Sequence, residues 1–417
     1  MSITNILILG GGFGGVKVAL DLDKKLSPEE ATVTLIDRNN YHLFLPALYE
    51  VASSFGLDLS KEETRLKKTI AIPFADIFED TKVNFVQAEV VSVDLDKKEV
   101  QSQGGKIFKY DYLVLALGAE TETFGTVGAV EYAYKFKSIE EAIFLNRRIN
   151  ERYKEAQEGK RSLPVRFVVV GAGFNGIELA SELACCTKNI EDVCRLKGKC
   201  TEIKLVEAAP KILPMVYDKE RMIIRERLES LGVEVLESSP IEEVGPDFVQ
   251  IKGGPKLNAD FIIWTAGIRA STFLKNISGL KLDERGKMTV NEFMQSSDRP
   301  EVFGVGDSVI LLDPSTNKPV PALAYVAVDQ GKIIAENILR VLRNKKPEEY
   351  KPFYGVWIAP VGGKFAVARL GKNFTVSGFW GWVLRELVDF RYMYSILPLS
   401  KALSLMSEDV AVFTKND

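Results

Sequence analysis

Apolar positions along the chain fall into a pattern that runs once and then runs again. Residues 6–9 and 32–36 are short β-rich runs, and 14–25 between them has helical periodicity. A strand buried on both faces reads as a continuous apolar run rather than an alternating one. The pattern therefore predicts parallel strands joined by helices. Residues 83–109 differ, with short alternating strands and turns at DKK and QGGK, and predict an antiparallel meander. Residues 110–119, YDYLVLALGA, form another buried run that ends at a glycine. A helical segment at 138–157 and the hinge-like EGKRSLP close this first stretch.

The order then restarts: strand 166–170, glycine turn, helix, strand 202–206, helix 218–231, strand, hairpin, and ADFIIWTAG at 259–267. That last run nearly repeats 110–119. PEVFGVGDS at 300–308 is a further strand running into a glycine turn, followed by a helix from about 322 to 342. Past NKKPEEYKP come two short strands and an aromatic-rich tail from Phe379, whereas 53–79 shows no clear period. A single long-interval echo marks a duplicated module rather than a solenoid. The expected fold class is α/β, with two Rossmann-like dinucleotide-binding domains and a C-terminal amphipathic segment. The first domain would combine 1–157 with 295–350, the second would span 158–294, and 351–417 would serve membrane association or dimerisation.

Both restarts carry a glycine turn between strand and helix. In the first, Gly10, Gly11, Gly12, Phe13, Gly14 and Gly15 fit GxGxxG. Gly10 permits the tight turn, Gly12 lets the backbone approach a pyrophosphate, and Gly15 lets helix and strand pack closely. The diphosphate would rest at a helix N-terminus, where free N–H groups and the helix dipole favour negative charge. Asp37 ends the second strand, placed to accept hydrogen bonds from ribose hydroxyls. The second turn has Gly171, Gly173 and Gly176, and Glu207 ends its second strand. Ala208 and Ala209 follow Glu207 where an arginine would suit a 2′-phosphate, so NADH is expected over NADPH. Two cradles predict two dinucleotides: a flavin that stays bound and a nicotinamide that delivers a hydride to it. Asp307, at the end of the returning strand, suits a ribityl hydroxyl and assigns the flavin to the N-terminal unit.

Composition narrows the chemistry. With 54 Lys and Arg against 57 Asp and Glu, the net charge of −3 gives no sign of nucleic acid as a partner. The single histidine, His42, rules out a multi-histidine metal site, and no CxxC or HExxH occurs, so no metal is expected. Cys185, Cys186, Cys194 and Cys200 lie close together in sequence and read as reduced thiols rather than a disulfide framework. No window is long and apolar enough to span a bilayer, and no signal peptide is evident, so a cytoplasmic location is expected.

At these motifs the chain resembles the two-dinucleotide flavoprotein reductases, and within them the type II NADH dehydrogenases, or NADH:quinone oxidoreductases. IDRNNYHLFLPALYEVAS (36–53), VVVGAGFNGIELA, WTAGIRAS, VFGVGDS and QGKIIAENI carry the likeness, collinear over essentially the whole chain. The resemblance implies that Asp37, Arg38, His42 and Val90 line an FAD site, with Gly118 and Asp307 nearer the flavin. Ala116, Ala327 and Val328 complete that set, and Gly267 joins the NADH side. The family's glutamate after the second turn maps onto Glu178, implying an influence on charge transfer or on the acceptor side. Where the family commonly has two glutamines assigned to the quinone pocket, this chain has Tyr325 and Asp329. Their spacing keeps both on one helix face. The family's disulfide and sulfide:quinone reductases need cysteines beside the flavin, and none lies there. The implied activity is non-proton-pumping NADH oxidation with a quinone acceptor. A soluble reductase with another acceptor, and a non-catalytic NADH-binding flavoprotein, remain as alternatives.

In the tail, Arg385, Glu386 and Asp389 share one helical face, with Phe379, Trp382, Val383, Leu387 and Phe390 largely opposite. Tyr392 and Tyr394 add amphipathic aromatics of the membrane-interface type. Such a helix can lie in a bilayer surface, and the resemblance implies monotopic attachment to the cytoplasmic face of a membrane. Packing within a core or a homodimer is the competing expectation.

Overall fold

The computed structural model of the protein describes residues 3–54, 66–194, 199–371 and 374–413, and the side chains of these apart from 187–194 and 409–413. Cys194 and the start of the unpatterned stretch 53–79 lie partly outside that description. The continuous apolar runs become buried parallel strands. Val302–Gly304, Tyr112–Leu115, Thr4–Leu9, Ala31–Asp37 and Asn84–Gln87 form one sheet in that spatial order, every neighbouring pair parallel. Ile8, Leu9 and Leu35 are wholly buried, which is why these strands show no alternation.

A second sheet repeats the arrangement with Tyr134–Lys135, Phe261–Trp264, Val165–Val170, Thr201–Val206 and Val233–Leu236, again all parallel. Four strands hold matching places in the two sheets. The fifth enters from outside each unit. Val302–Gly304 arrives after the second unit is complete, and Tyr134–Lys135 arrives before it begins. The two units therefore interlock, and an antiparallel pair, Ala119–Thr121 with Ile268–Ala270, joins them again. Asn84–Gln87 leaves the expected meander for the parallel sheet, where it lies beside Thr34–Asp37. The rest of the meander forms as expected at 90–109, and a counterpart at 241–258 serves the second unit.

Helices cover the sheets: α1 (Phe13–Asp23), α2 (Leu48–Ser53), α3 (Ile139–Gln157), α4 (Phe174–Cys194), α5 (Asp218–Ser230) and α6 (Ala324–Leu342). A capping box starts α3: the Ser138 hydroxyl accepts the Glu141 N–H while the Glu141 carboxylate accepts the Ser138 N–H. A three-stranded antiparallel sheet, Val356–Pro360, Ala366–Leu370 and Thr375–Gly378, then leads into α7 (Phe379–Ile396) and α8 (Leu399–Phe413). Gly381 lets α7 press against this sheet, because a Cβ there would lie 2.1 Å from the Ala366 carbonyl oxygen.

α7 is turned the opposite way to an ordinary surface helix. Its charged residue Arg385 is buried, whereas Phe379, Trp380, Leu387, Val388 and Tyr394 are each more than half exposed, Trp380 at 69%. Leu399 and Leu403 of α8 extend the exposed apolar surface. Among the described residues, no helix is long and apolar enough to cross a membrane.

Candidate active site

The two glycine turns match in their glycine geometry and in their acids. Gly10 and Gly171 have φ of +104° and +100°, and a Cβ at either would collide with the strand beyond. Gly15 and Gly176 pack so tightly that a Cβ would lie 2.0 Å and 1.9 Å from the carbonyl oxygens of Gly10 and Gly171. By contrast, nothing lies within 4 Å of a Cβ built at Gly12 or Gly173. Those two are the positions that must leave room for a diphosphate. The acids also correspond. Asp37 accepts the N–H groups of Gly11 and Asn39 at 2.6 and 2.8 Å; Glu207 accepts those of Ala172 and Ala209 at 2.7 and 2.8 Å. Asp111 and Asp260 likewise accept N–H groups at the same relative place, from Asn5 and Arg166.

Around the first turn the remaining candidates gather unevenly. A Cβ at Gly14 would strike Val305, and one at Gly331 would strike the Gly14 carbonyl, so α1, α6 and the 305–308 turn close on one another. Asp307 is partly buried and pairs with Lys137 at 3.4 Å. Ala116, behind Gly10, and Ala327, on α6, are nearly buried. Gly118 has φ of +66° with open space beside it, and Val328 is half-buried. Arg38 is exposed, and Val90 is half-buried at the start of the meander. Around the second turn, Gly267 faces the Phe124 ring. His42 is wholly buried, and both its ring nitrogens are in use: Nδ1 meets the Gly11 carbonyl and Nε2 the Tyr392 hydroxyl, each at 2.9 Å. Burial lowers its pKa to about 4, so the ring is neutral.

Glu178, half-buried near the start of α4, belongs to a cluster of acids around one cation. Arg385 of α7 meets Glu50 at 2.7 Å, Asp389 at 3.3 Å and Glu386 at 3.7 Å. The Tyr49 hydroxyl donates to Glu50 at 2.8 Å. Burial pushes Glu178 up to about 8; Arg385 opposes the shift, and Asp389 and Glu50 add to it. Asp389 is pushed up to about 7 for the same first reason. This cluster can hold protons near neutral pH beside the N-terminus of α4. Among the described residues, no three His, Cys, Asp or Glu are arranged to hold a metal.

Residues 4–331 match the family model described as pyridine nucleotide-disulphide oxidoreductase. The type II NADH:quinone oxidoreductase of Staphylococcus aureus strain NCTC 8325 is 32% identical over 403 residues, covering 94% of this chain and 95% of its own. The chain belongs to the pyridine nucleotide-disulphide oxidoreductases, and among them to the type II NADH:quinone oxidoreductase family. Its fold matches NDH2 from Plasmodium falciparum, solved in complex with NADH, at a TM-score of 0.81 with 18% identity and 99% coverage of both chains. It also matches the sulfide:quinone oxidoreductase of Aquifex aeolicus at 0.78, with 19% identity and coverage of 94% and 91%. The expected α/β fold with two Rossmann-like units is borne out.

Within this type II architecture, Tyr325 and Asp329 sit one turn apart on α6, Tyr325 36% exposed and Asp329 half-buried. The chain after α6 doubles back along it. Asn337 Nδ2 donates to the Glu348 carbonyl and Asn337 Oδ1 accepts the Glu348 N–H. Tyr350 is thereby buried, its hydroxyl without a hydrogen-bond partner among the described residues, and Asp329 and Tyr325 both act on it electrostatically. Sequence reasoning missed Tyr350, and it also missed Gln330, whose Oε1 accepts the Gly306 N–H at 2.8 Å and fixes the turn before Asp307. The identity of Gln330 was readable in VDQG, but its inward direction was not. Glu50 was missed too, because nothing local links it to Arg385.

Proposed function

We propose that this chain is an FAD-dependent, non-proton-pumping NADH dehydrogenase that passes electrons from NADH to a quinone at a membrane surface. The observation that carries the reading is the pair of matched turns, each open at the second glycine of its motif, Gly12 or Gly173, and each strapped by its own acid. The first fits FAD: Gly10, Gly11, Gly12, Phe13, Gly14 and Gly15 would hold the diphosphate, Asp37 the ribose, and Asp307 the ribityl chain. Arg38, His42, Val90, Ala116, Gly118, Ala327 and Val328 complete the surroundings. Gly171, Gly173, Gly176, Glu207 and Gly267 would hold NADH. In domain terms, 1–157 with 295–350 serves the flavin, 158–294 serves NADH, and 351–417 makes the membrane contact. FAD, when bound, supplies the group that accepts a hydride and returns electrons. The N-terminus of α6 lies beside Gly306 and can stabilise negative charge there. Glu178 holds a proton near the reacting region, and Tyr325 and Asp329 border the acceptor side.

The outward apolar face of α7 and α8 supports peripheral membrane attachment. Each buried side chain of this size contributes roughly 1.5–3 kcal/mol, so several suffice without a spanning helix. The charged face is already consumed by internal ion pairs, which argues against a charge-driven contact. Steady-state NADH oxidation with a short-chain quinone, compared with soluble acceptors, tests the activity. Sustained turnover with the quinone is expected. A flavin reduced once and then stalled would overturn the reading. Sedimentation would reveal a homodimer occupying the same face instead.

A further inference from the structure

The two glycine turns differ in how one matching carbonyl is held. In the second turn, the carbonyl of Ala172 accepts the backbone N–H of Leu213 at 3.1 Å, a tie made within the same unit. In the first, the corresponding carbonyl, that of Gly11, is held by a side chain, Nδ1 of His42. A carbonyl offers lone pairs alone, so Nδ1 must carry the proton. In a neutral ring Nε2 then accepts, and its donor is the hydroxyl of Tyr392. The tie therefore continues onto α7, near the other end of the chain.

Its consequence for the turn follows from peptide geometry. The Gly11 carbonyl and the Gly12 N–H belong to one planar trans unit and point in opposite directions. Drawing the carbonyl towards His42 turns the Gly12 N–H away from it, at the residue whose surroundings are open. Tyr392 is well seated for this task. Its ring stacks on Phe44 at 5.7 Å and lies 4.8 Å from Phe13, the residue that follows Gly12. The ion pair between Arg385 and Glu50 fixes the same helix two turns earlier. We propose that Tyr392 is a positioning residue of the first dinucleotide turn: acting through His42, it sets the Gly11–Gly12 peptide that receives the flavin nucleotide's diphosphate. This rests on reading the first turn as the FAD site.

The test compares holoenzymes. Tyr392→Phe keeps the ring contacts and removes the donor. Arg391→Met, at an exposed site on the same helix, serves as the control. Flavin release is followed by fluorescence after dilution, NADH affinity by titration, and melting is recorded for apo and holo forms. Tyr392→Phe is expected to release flavin about tenfold faster, equivalent to about 1.4 kcal/mol, with NADH affinity unchanged. Arg391→Met is expected to stay near the parent. Release from Tyr392→Phe at the parental rate, or equal losses of apo and holo melting temperature, would overturn the proposal. A parent protein that binds no flavin would overturn both the proposal and the reading beneath it.

Discussion

Nη2 of Arg385 lies 2.7 Å from Oε1 of Glu50, an ion pair between α7 and α2 with both side chains at most 11% exposed. Removing one member of a buried pair leaves the other uncompensated, at about 3–5 kcal/mol. Arg385→Met should therefore lower the unfolding free energy by about that much in a denaturant titration. Arg391→Met, at an exposed site on the same helix, should stay within about 0.5 kcal/mol. Equal effects would mean that the pair contributes nothing. Cutting the chain before Phe379, a boundary that the sequence invites, would remove this pair together with Tyr392.

Glu178 carries a pH prediction. Burial raises its pKa above the ordinary carboxylate range to about 8, so the folded protein keeps it protonated at neutral pH. Its contribution to stability is complete below pH 4.5 and is lost as pH rises through about 8. One half-reaction of the flavin should show an inflection near pH 8 in stopped-flow traces. Glu178→Gln should remove that inflection while leaving FAD content near the parental level. Identical profiles would make the carboxylate structural.

NADH should be used in preference to NADPH, because in the proposed NADH site Glu207 would face the ribose, and no guanidinium follows it in sequence. Glu207→Gln, which keeps an oxygen for one of the two backbone N–H groups, should narrow the preference by about one to two powers of ten from relief of like-charge repulsion. Equal kcat/KM for the two nucleotides in the parent would refute this.

Attachment to a bilayer should fail when the exposed face of α7 is made polar. Trp380→Ser with Leu387→Ser should lose flotation with liposomes yet retain NADH turnover with a water-soluble acceptor. Flotation of the parent should depend weakly on salt, since Arg385, Glu386 and Asp389 of α7 are spent in internal ion pairs. Strong release at high salt would indicate an electrostatic contact instead.

What the sequence revealed follows the range of each cause. The glycine turns, Asp37 and Glu207 were legible because turn, helix start and strand end are neighbours, and their geometry needs particular residues at fixed spacing. The amphipathic character of α7 was equally visible. Which face turns inward was not, since Arg385 is buried only because Glu50 waits on α2, more than 300 residues away. His42 stood out as the lone histidine, but its partner Tyr392 lies 350 residues on. Tyr134–Lys135 was too short to carry a period, and its place in the second sheet depends on Phe261–Trp264.

The interlocked strand order also has a consequence for the moment of synthesis. All five strands of the second sheet lie between 134 and 264 and leave the ribosome as a contiguous block. The first sheet, although its opening strand is made first, lacks Val302–Gly304 until much later, and its glycine turn lacks Tyr392 for a further stretch of synthesis. At about 5–20 residues per second, the wait from the opening strand to Tyr392 is on the order of 20–80 s. The second unit can mature on the nascent chain, while the first glycine turn stays incomplete until α7 arrives.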